Sequence, residues 1–144
     1  MVGRRTVGGR WYVGAMCWRA TGKVGPWVPI ERFEQLEVWR LAHRLVLDVY
    51  KATQELPKDQ RFGLNAQMQR AGVSVSANNA EGFKRRGSAD KIRFYNFAQG
   101  SLEEVRYYFI LCRDLGYKVN YELLAEQSER VGRMLTGLIN SVKV

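Results

Sequence analysis

Between Gln67 and Arg86 the chain reads QMQRAGVSVSANNAEGFKRR, a stretch whose apolar residues fall on two opposite sides of a helix with a polar row between them. At about 100° per residue, Leu64, Met68, Ala71 and Val75 share one face. Phe62, Ala66, Val73, Ala77 and Ala80 gather on the opposite face, and Gln67, Arg70, Ser74, Asn78, Glu81 and Arg85 line one flank. A helix apolar on one side sits on a domain surface; one apolar on two sides needs two covers. The second cover is either another helix of the same chain or another subunit, and the expectation is a subunit contact through Phe62, Ala66, Val73, Ala77 and Ala80. A strand is the rival, since Val73-Ser74-Val75-Ser76 alternates and Gly72 costs a helix about 1 kcal/mol. The alternation is short, lies inside a longer helical pattern and has no second strand to pair with. The spacing therefore predicts a helix.

The same period marks three more. Val38, Ala42, Leu45, Val49 and Thr53, with Trp39, Val46 and Tyr50 beside them, form a helix that stops before Leu56-Pro57, because the residue before proline avoids the helical region. Asp59 stands near the start of the second helix, where a carboxylate suits the unpaired amides, and that helix continues to about Lys84. Gly87-Ser88 breaks the chain, with Ser88 as N-cap and Asp90 in the first turn of the third helix. That helix carries Ile92, Tyr95, Leu102, Val105, Phe109 and Cys112, has a second row of Phe94, Phe97, Tyr108, Leu111 and Leu115, and ends at Gly116. Asn120 caps a fourth helix with the stripe Tyr121, Leu124, Ser128, Val131, Leu135, Leu138 and Val142. Gly72, Gly100, Gly132 and Gly137 lie inside helices, where close approach of neighbouring backbones is their expected use. Helices joined by short connections make an all-α, up-down four-helix bundle the economical fold for residues 33–144.

A chain of 144 residues buries one core without disulfide or metal staples. Its cysteines, Cys17 and Cys112, lie far apart, and the second falls on an apolar face; both points suit a reduced, cytoplasmic setting. No apolar run approaches the roughly 20 residues of a membrane span. The formal charge is +9, but residues 1–30 hold five of the 23 basic residues and none of the 14 acids, which leaves +4 for the remainder. The same thirty residues contain six of the fourteen glycines and three of the four tryptophans, with no sustained period. Residues 1–32 are therefore expected to be an irregular, poorly ordered basic N-terminal arm or a translated leader. A nucleic-acid arm is a sharper reading of the same residues. A secretory signal on Arg4-Arg5 and Trp11 to Trp18 fits poorly, since Gly14 interrupts its apolar run and no small-x-small cleavage site follows.

Chemistry has few anchors here. His43 is the one histidine, which leaves imidazole triads and multi-histidine metal sites without material, and no GxxxxGK[ST], GxGxxG or CxxC motif is present. Glu103-Glu104 point about 100° apart on a helix, so they do not converge on one substrate. No catalytic residue, metal or cofactor is expected. Lys84, Arg85, Arg86, Lys91 and Arg93 surround the turn between the second and third helices, opposed by Glu81 and Asp90. Such a cluster suits phosphates of RNA or DNA; alternatively, Lys84 to Arg86 only complement the negative end of the second helix. Asn78 and Glu81, between two apolar rows, are expected to pair across a helix or subunit contact, for example with Ser101, or to face a solvent channel.

Phe33-Glu34-Gln35-Leu36-Glu37-Val38-Trp39, Leu56-Pro57, Phe62-Gly63-Leu64 with Gln67, Arg70-Ala71, Ser76-Ala77-Asn78-Asn79-Ala80-Glu81-Gly82, Gly100-Ser101-Leu102-Glu103-Glu104 and Leu115-Gly116-Tyr117 occur in that order. Together they resemble the bacterial 23S ribosomal RNA intervening-sequence protein family over about residues 33–142, with Asn79 standing where the family usually has an apolar residue. The resemblance implies a four-helix bundle assembling into a barrel-like homopentamer with a basic surface, and no established enzymatic activity. The family is also similar to accessory proteins of diversity-generating retroelements, which bind nucleic acid and a reverse transcriptase. Two functions follow as expectations: a non-enzymatic oligomeric nucleic-acid-binding bundle, or a protein interaction module without direct nucleic-acid binding.

Overall fold

The computed structural model describes residues 30–143, so the expectations for the N-terminal arm or leader, and for Cys17 within it, fall mostly outside the described residues. The protein forms four helices, α1 (Glu37–Gln54), α2 (Ala66–Lys84), α3 (Ser88–Asp114) and α4 (Tyr121–Val142). The apolar stripes turn inward as their spacing requires. Val38, Ala42, Leu45, Val49 and Thr53 of α1 are buried, as are Met68, Ala71 and Val75 of α2 and the α4 stripe from Leu124 to Val142. Tyr95, Leu102, Val105, Phe109 and Cys112 bring α3 into the same core. Each fully buried large aliphatic or aromatic residue stabilises the fold by about 1.5–3 kcal/mol relative to exposure.

Contacts between helices define the topology. Moving away from the α2–α3 turn, Gly82 lies under the Tyr95 ring, Ser74 bonds Ser101 at 2.8 Å, and Gln67 meets Tyr108 at 2.8 Å, so numbers fall on α2 as they rise on α3. The same inversion relates α1 to α2, through Val49 with Gly72 and Thr53 with Gln69, and α3 to α4, through Leu102 with Gly132 and Gln99 with Thr136. Gln127 of α4 donates to Asp48 of α1 at 2.9 Å and closes the ring. Consecutive helices are antiparallel neighbours, which is the up-down arrangement short connections impose.

Three local expectations need correction. The second helix does not begin near Asp59: Lys58–Gln60 is a 3-10 turn and Arg61–Asn65 a wider π-type turn, inside which Gly63 (φ −98°, ψ −105°) leaves the helical region before α2 begins. Phe62 is thereby cut from the helical phase that would align it with Ala66, Val73, Ala77 and Ala80, and it stands 88% exposed. Gly87, rather than Ser88, holds the N-cap position of α3. Among the interior glycines, Gly72 and Gly132 approach the side chains of Val49 and Leu102, while a Cβ at Gly100 or Gly137 would meet nothing within 4 Å. The tightest approach is at Gly82, where a Cβ would stand 2.7 Å from the buried Tyr95 ring. The expected stop of α3 and start of α4 hold. Gly116 takes φ +76° in a Schellman motif, with Tyr117 N–H donating to Cys112 O and Gly116 N–H to Arg113 O, both at 3.0 Å. Asn120 accepts from Leu123 N–H at 3.2 Å as an N-cap.

Candidate functional site

The basic turn is short and extended. α2 ends at Lys84, Arg85 leaves it with φ −61° and ψ 143°, and α3 begins at Ser88 after the Gly87 N-cap. Lys84, Arg85, Arg86 and Arg93 are exposed around it. Lys91 is not. It is only 4% exposed, and its Nζ donates to the Gly82 and Phe83 carbonyls in the last turn of α2. Those carbonyls have no partner inside their own helix, so the Lys91 ammonium caps the C-terminus of α2 from its place on α3. Burial lowers its pKa from the ordinary 10.5. Its position near the start of α3, unfavourable to that helix's dipole, is explained by the end of α2 that it serves.

Aromatic rings interleave with the remaining cations. The Arg85 guanidinium carbon lies 4.3 Å from the centroid of Phe94, and that of Arg93 lies 5.5 Å from the centroid of Phe97. Phe94 and Phe97 meet edge to face, with centroids 5.8 Å apart and planes at 85°. Both belong to the second apolar row of α3, but this end of the row gathers around the cations, and Phe97 is 46% exposed. Their part in the tip was missed from sequence. The available signal was the i, i+4 spacing of Arg93 and Phe97, which puts a guanidinium beside a ring on one helix face.

The polar row of α2 leads from this tip along the seam with α3. Asn78 does not reach Ser101 directly: its Nδ2 donates to Ser74 O at 2.8 Å and to Ser74 Oγ at 2.9 Å, and Ser74 Oγ bonds Ser101 Oγ at 2.8 Å. Farther along, the Tyr108 hydroxyl lies 2.8 Å from Gln67 Oε1 and 2.7 Å from Glu104 Oε1. Burial, with the Glu104 hydrogen bond adding to it, pushes that hydroxyl up to about 12. Glu81 faces outward, 3.7 Å from Arg85. The buried polar residues of this helix are Ser76 and Asn79 instead; Asn79 is fully enclosed, and neither of its amide atoms nor the Ser76 hydroxyl is bonded to a protein group. Glu103 pairs with Arg106 at 2.8 Å, and His43 lies on the surface stacked on Trp39, so neither joins a reactive cluster. On the outer side of α2, Val73 and Ala77 are exposed and Ala66 and Ala80 half-buried.

The model of the 23S rRNA-intervening sequence protein family matches residues 34–137, which is most of the chain and reaches into all four helices. The chain belongs to that family. Among solved structures it is similar to a protein of unknown function from the S23 ribosomal protein family of Bacteroides thetaiotaomicron. The two are 24% identical, over 71% of this chain and 97% of the other, with a TM-score of 0.66. That likeness carries the fold alone. No curated protein is similar enough to the chain to count as a match. In this 23S rRNA-intervening sequence family member, the matched span contains the whole basic turn, the aromatic pair beside it and the outer row of α2. Among the described residues, no helix is long and apolar enough to cross a membrane, and no group of three or more His, Cys, Asp or Glu could hold a metal ion.

Proposed function

We propose that this 23S rRNA-intervening sequence family member is a non-enzymatic, self-assembling bundle that holds nucleic-acid phosphates at the α2–α3 turn. One observation supports the reading: Lys84, Arg85, Arg86 and Arg93 are exposed together on one end, where Glu81 and Asp90 lie in the same stretch of chain and Glu31 and Glu34 line the pocket beside Lys84. The Arg85–Glu81 contact is 3.7 Å long and half exposed, so it holds the guanidinium weakly and leaves it able to exchange partners. Cations in this setting neutralise phosphates and release counterions, and the affinity they confer falls as salt rises. Withdrawal of Lys91 into its capping role leaves the two arginines at the tip held beside rings and Lys84 and Arg86 extended around them. The exposed Val73 and Ala77 on α2 favour self-association through its outer row, with Ala66 and Ala80. A pentamer is the form the family resemblance implies, and assembly would repeat the charged end and strengthen its field.

Electrophoretic shift with structured RNA and with DNA, at low and moderate salt, tests the binding. A shift at low salt that weakens at moderate salt is expected, and absence of a shift at low salt contradicts the proposal. In that case the exposed α2 row becomes the leading feature, and the bundle is a protein interaction module. Light scattering at micromolar concentration tests assembly separately: the expected mass is a multiple of 16.6 kDa, and a monomer would contradict it.

A further inference from the structure

Phosphate neutralisation alone needs cations and no rings. The end of this bundle nevertheless presents a half-exposed phenylalanine among its arginines, linked through a second ring into one array: Arg85, Phe94, Phe97 and Arg93. We infer that the tip is a stacking platform for unpaired nucleotides, so that single-stranded nucleic acid is its ligand rather than a base-paired duplex. This rests on the phosphate-binding reading above and names the substrate class of the same site.

The chemistry of each member supports the assignment. Every base has a π face, and stacking on an aromatic ring is tolerant of sequence. Bases within a duplex are already stacked on their neighbours and cannot offer that face to a surface ring. A guanidinium lying against a ring loses rotamer freedom before any ligand arrives, so Arg85 and Arg93 reach their phosphates at lower entropic cost than freely rotating cations. Lys84 and Arg86 are exposed beside this array, where they can follow the backbone on either side of a stacked base. The edge-to-face contact of Phe94 with Phe97 fixes the second ring's orientation while Phe97 keeps nearly half of its surface open. The turn between the helices is only Arg85–Gly87, so the array runs from the end of α2 along the first three turns of α3 rather than over a long loop.

The test is fluorescence anisotropy of the full-length protein with a labelled dT oligonucleotide and with a blunt-ended DNA duplex carrying the same number of phosphates. The oligonucleotide is expected to bind about tenfold more tightly. Phe97→Leu should lower its affinity by about tenfold while leaving duplex affinity unchanged, and Phe97→Tyr should retain the preference. Circular dichroism and light scattering on each variant separate folding and assembly from stacking. Equal binding of the two probes, with no effect of Phe97→Leu, overturns the stacking platform and leaves the basic tip standing. So does a Phe97→Leu variant that loses assembly but not oligonucleotide affinity. Failure of both probes to bind overturns the tip reading and this inference with it.

Discussion

The backbone reverses direction at both ends of α3, and the two reversals are closed by different means. After Asp114 the turn closes itself: Gly116 adopts φ +76°, two Schellman hydrogen bonds satisfy the last carbonyls, and the Asn120 amide oxygen caps α4. Before Ser88 there is no left-handed residue and no N-capping hydrogen bond from a side group, and the loose carbonyls of α2 are taken by Lys91 reaching back from α3. The one arginine neighbouring the self-closed turn, Arg113, is held by Asp114 at 3.0 Å and lies 4.5 Å from the centroid of Tyr121. At the α2–α3 turn one cation of the cluster is committed to structure, two are held against rings, and the other two remain exposed beside them. Residues that looked equivalent in sequence therefore divide into a buried cap, a pair of arginines beside rings and an exposed fringe.

Substitutions can break that division at different points. The largest effect should come from Gly82→Ala, which places a methyl group 2.7 Å from a ring that is itself buried. Repacking Tyr95 should cost about 3 kcal/mol, measured as a fall in the denaturation midpoint. Retained stability would mean that α2 and α3 are not held this closely at the basic turn. Next comes Lys91→Met, which keeps the length of the residue and leaves the Gly82 and Phe83 carbonyls without their donor. A loss of about 1–3 kcal/mol is expected in chemical denaturation. Its pH signature is specific. Burial depresses the Lys91 pKa below 10.5, so folding favours the neutral amine; the associated stability is present above 10.5 and lost as pH falls through the folded value. Stability of the wild-type protein relative to Lys91→Met should thus rise as pH climbs toward 10.5. The Tyr95 and Tyr108 hydroxyls, raised to about 12 by burial, weaken both proteins alike above pH 10 and cancel in the difference. The smallest effect among these belongs to the other turn. Asn120→Ala should cost about 1 kcal/mol with no pH dependence of this kind, since it removes a neutral cap; a loss as large as that of Lys91→Met would erase the contrast between the two turns.

How far these features were legible follows from the length scale of each. Core stripes were legible because one period places Val38 to Thr53, Met68 to Val75 and Leu124 to Val142 on faces that must be covered. The α3–α4 turn was equally plain, since Gly116 and Asn120 act within a few residues of themselves. The helical period does not carry through to Phe62, because the backbone departs from it at Gly63, where a glycine in an apolar run is the visible warning. Lys91 stands four residues before Tyr95 and so heads the core stripe of α3, a spacing that separates it from Arg93, but its carbonyl partners lie on another helix and only the packed structure shows them. Asn79 follows Val75 by four and so continues the core face of α2, which makes its enclosure legible in the spacing; that neither of its amide atoms meets a protein partner, while Asn78 bonds Ser74, only the packed structure shows. The Arg–Phe array was half legible: its spacing along α3 was visible, but the arrival of Arg85 over Phe94 depends on how the turn brings α2 back.

The proposal that the exposed cations of the α2–α3 turn meet phosphates stands or falls on affinity for one unstructured oligonucleotide across a salt series, in the wild-type protein and in a Lys84→Ala, Arg85→Ala, Arg86→Ala variant. Neutralised phosphates set the slope of log affinity against log salt, so removing three contacts should flatten it by about 2 for a single strand. The same slope in both proteins, at unchanged affinity, would contradict the account.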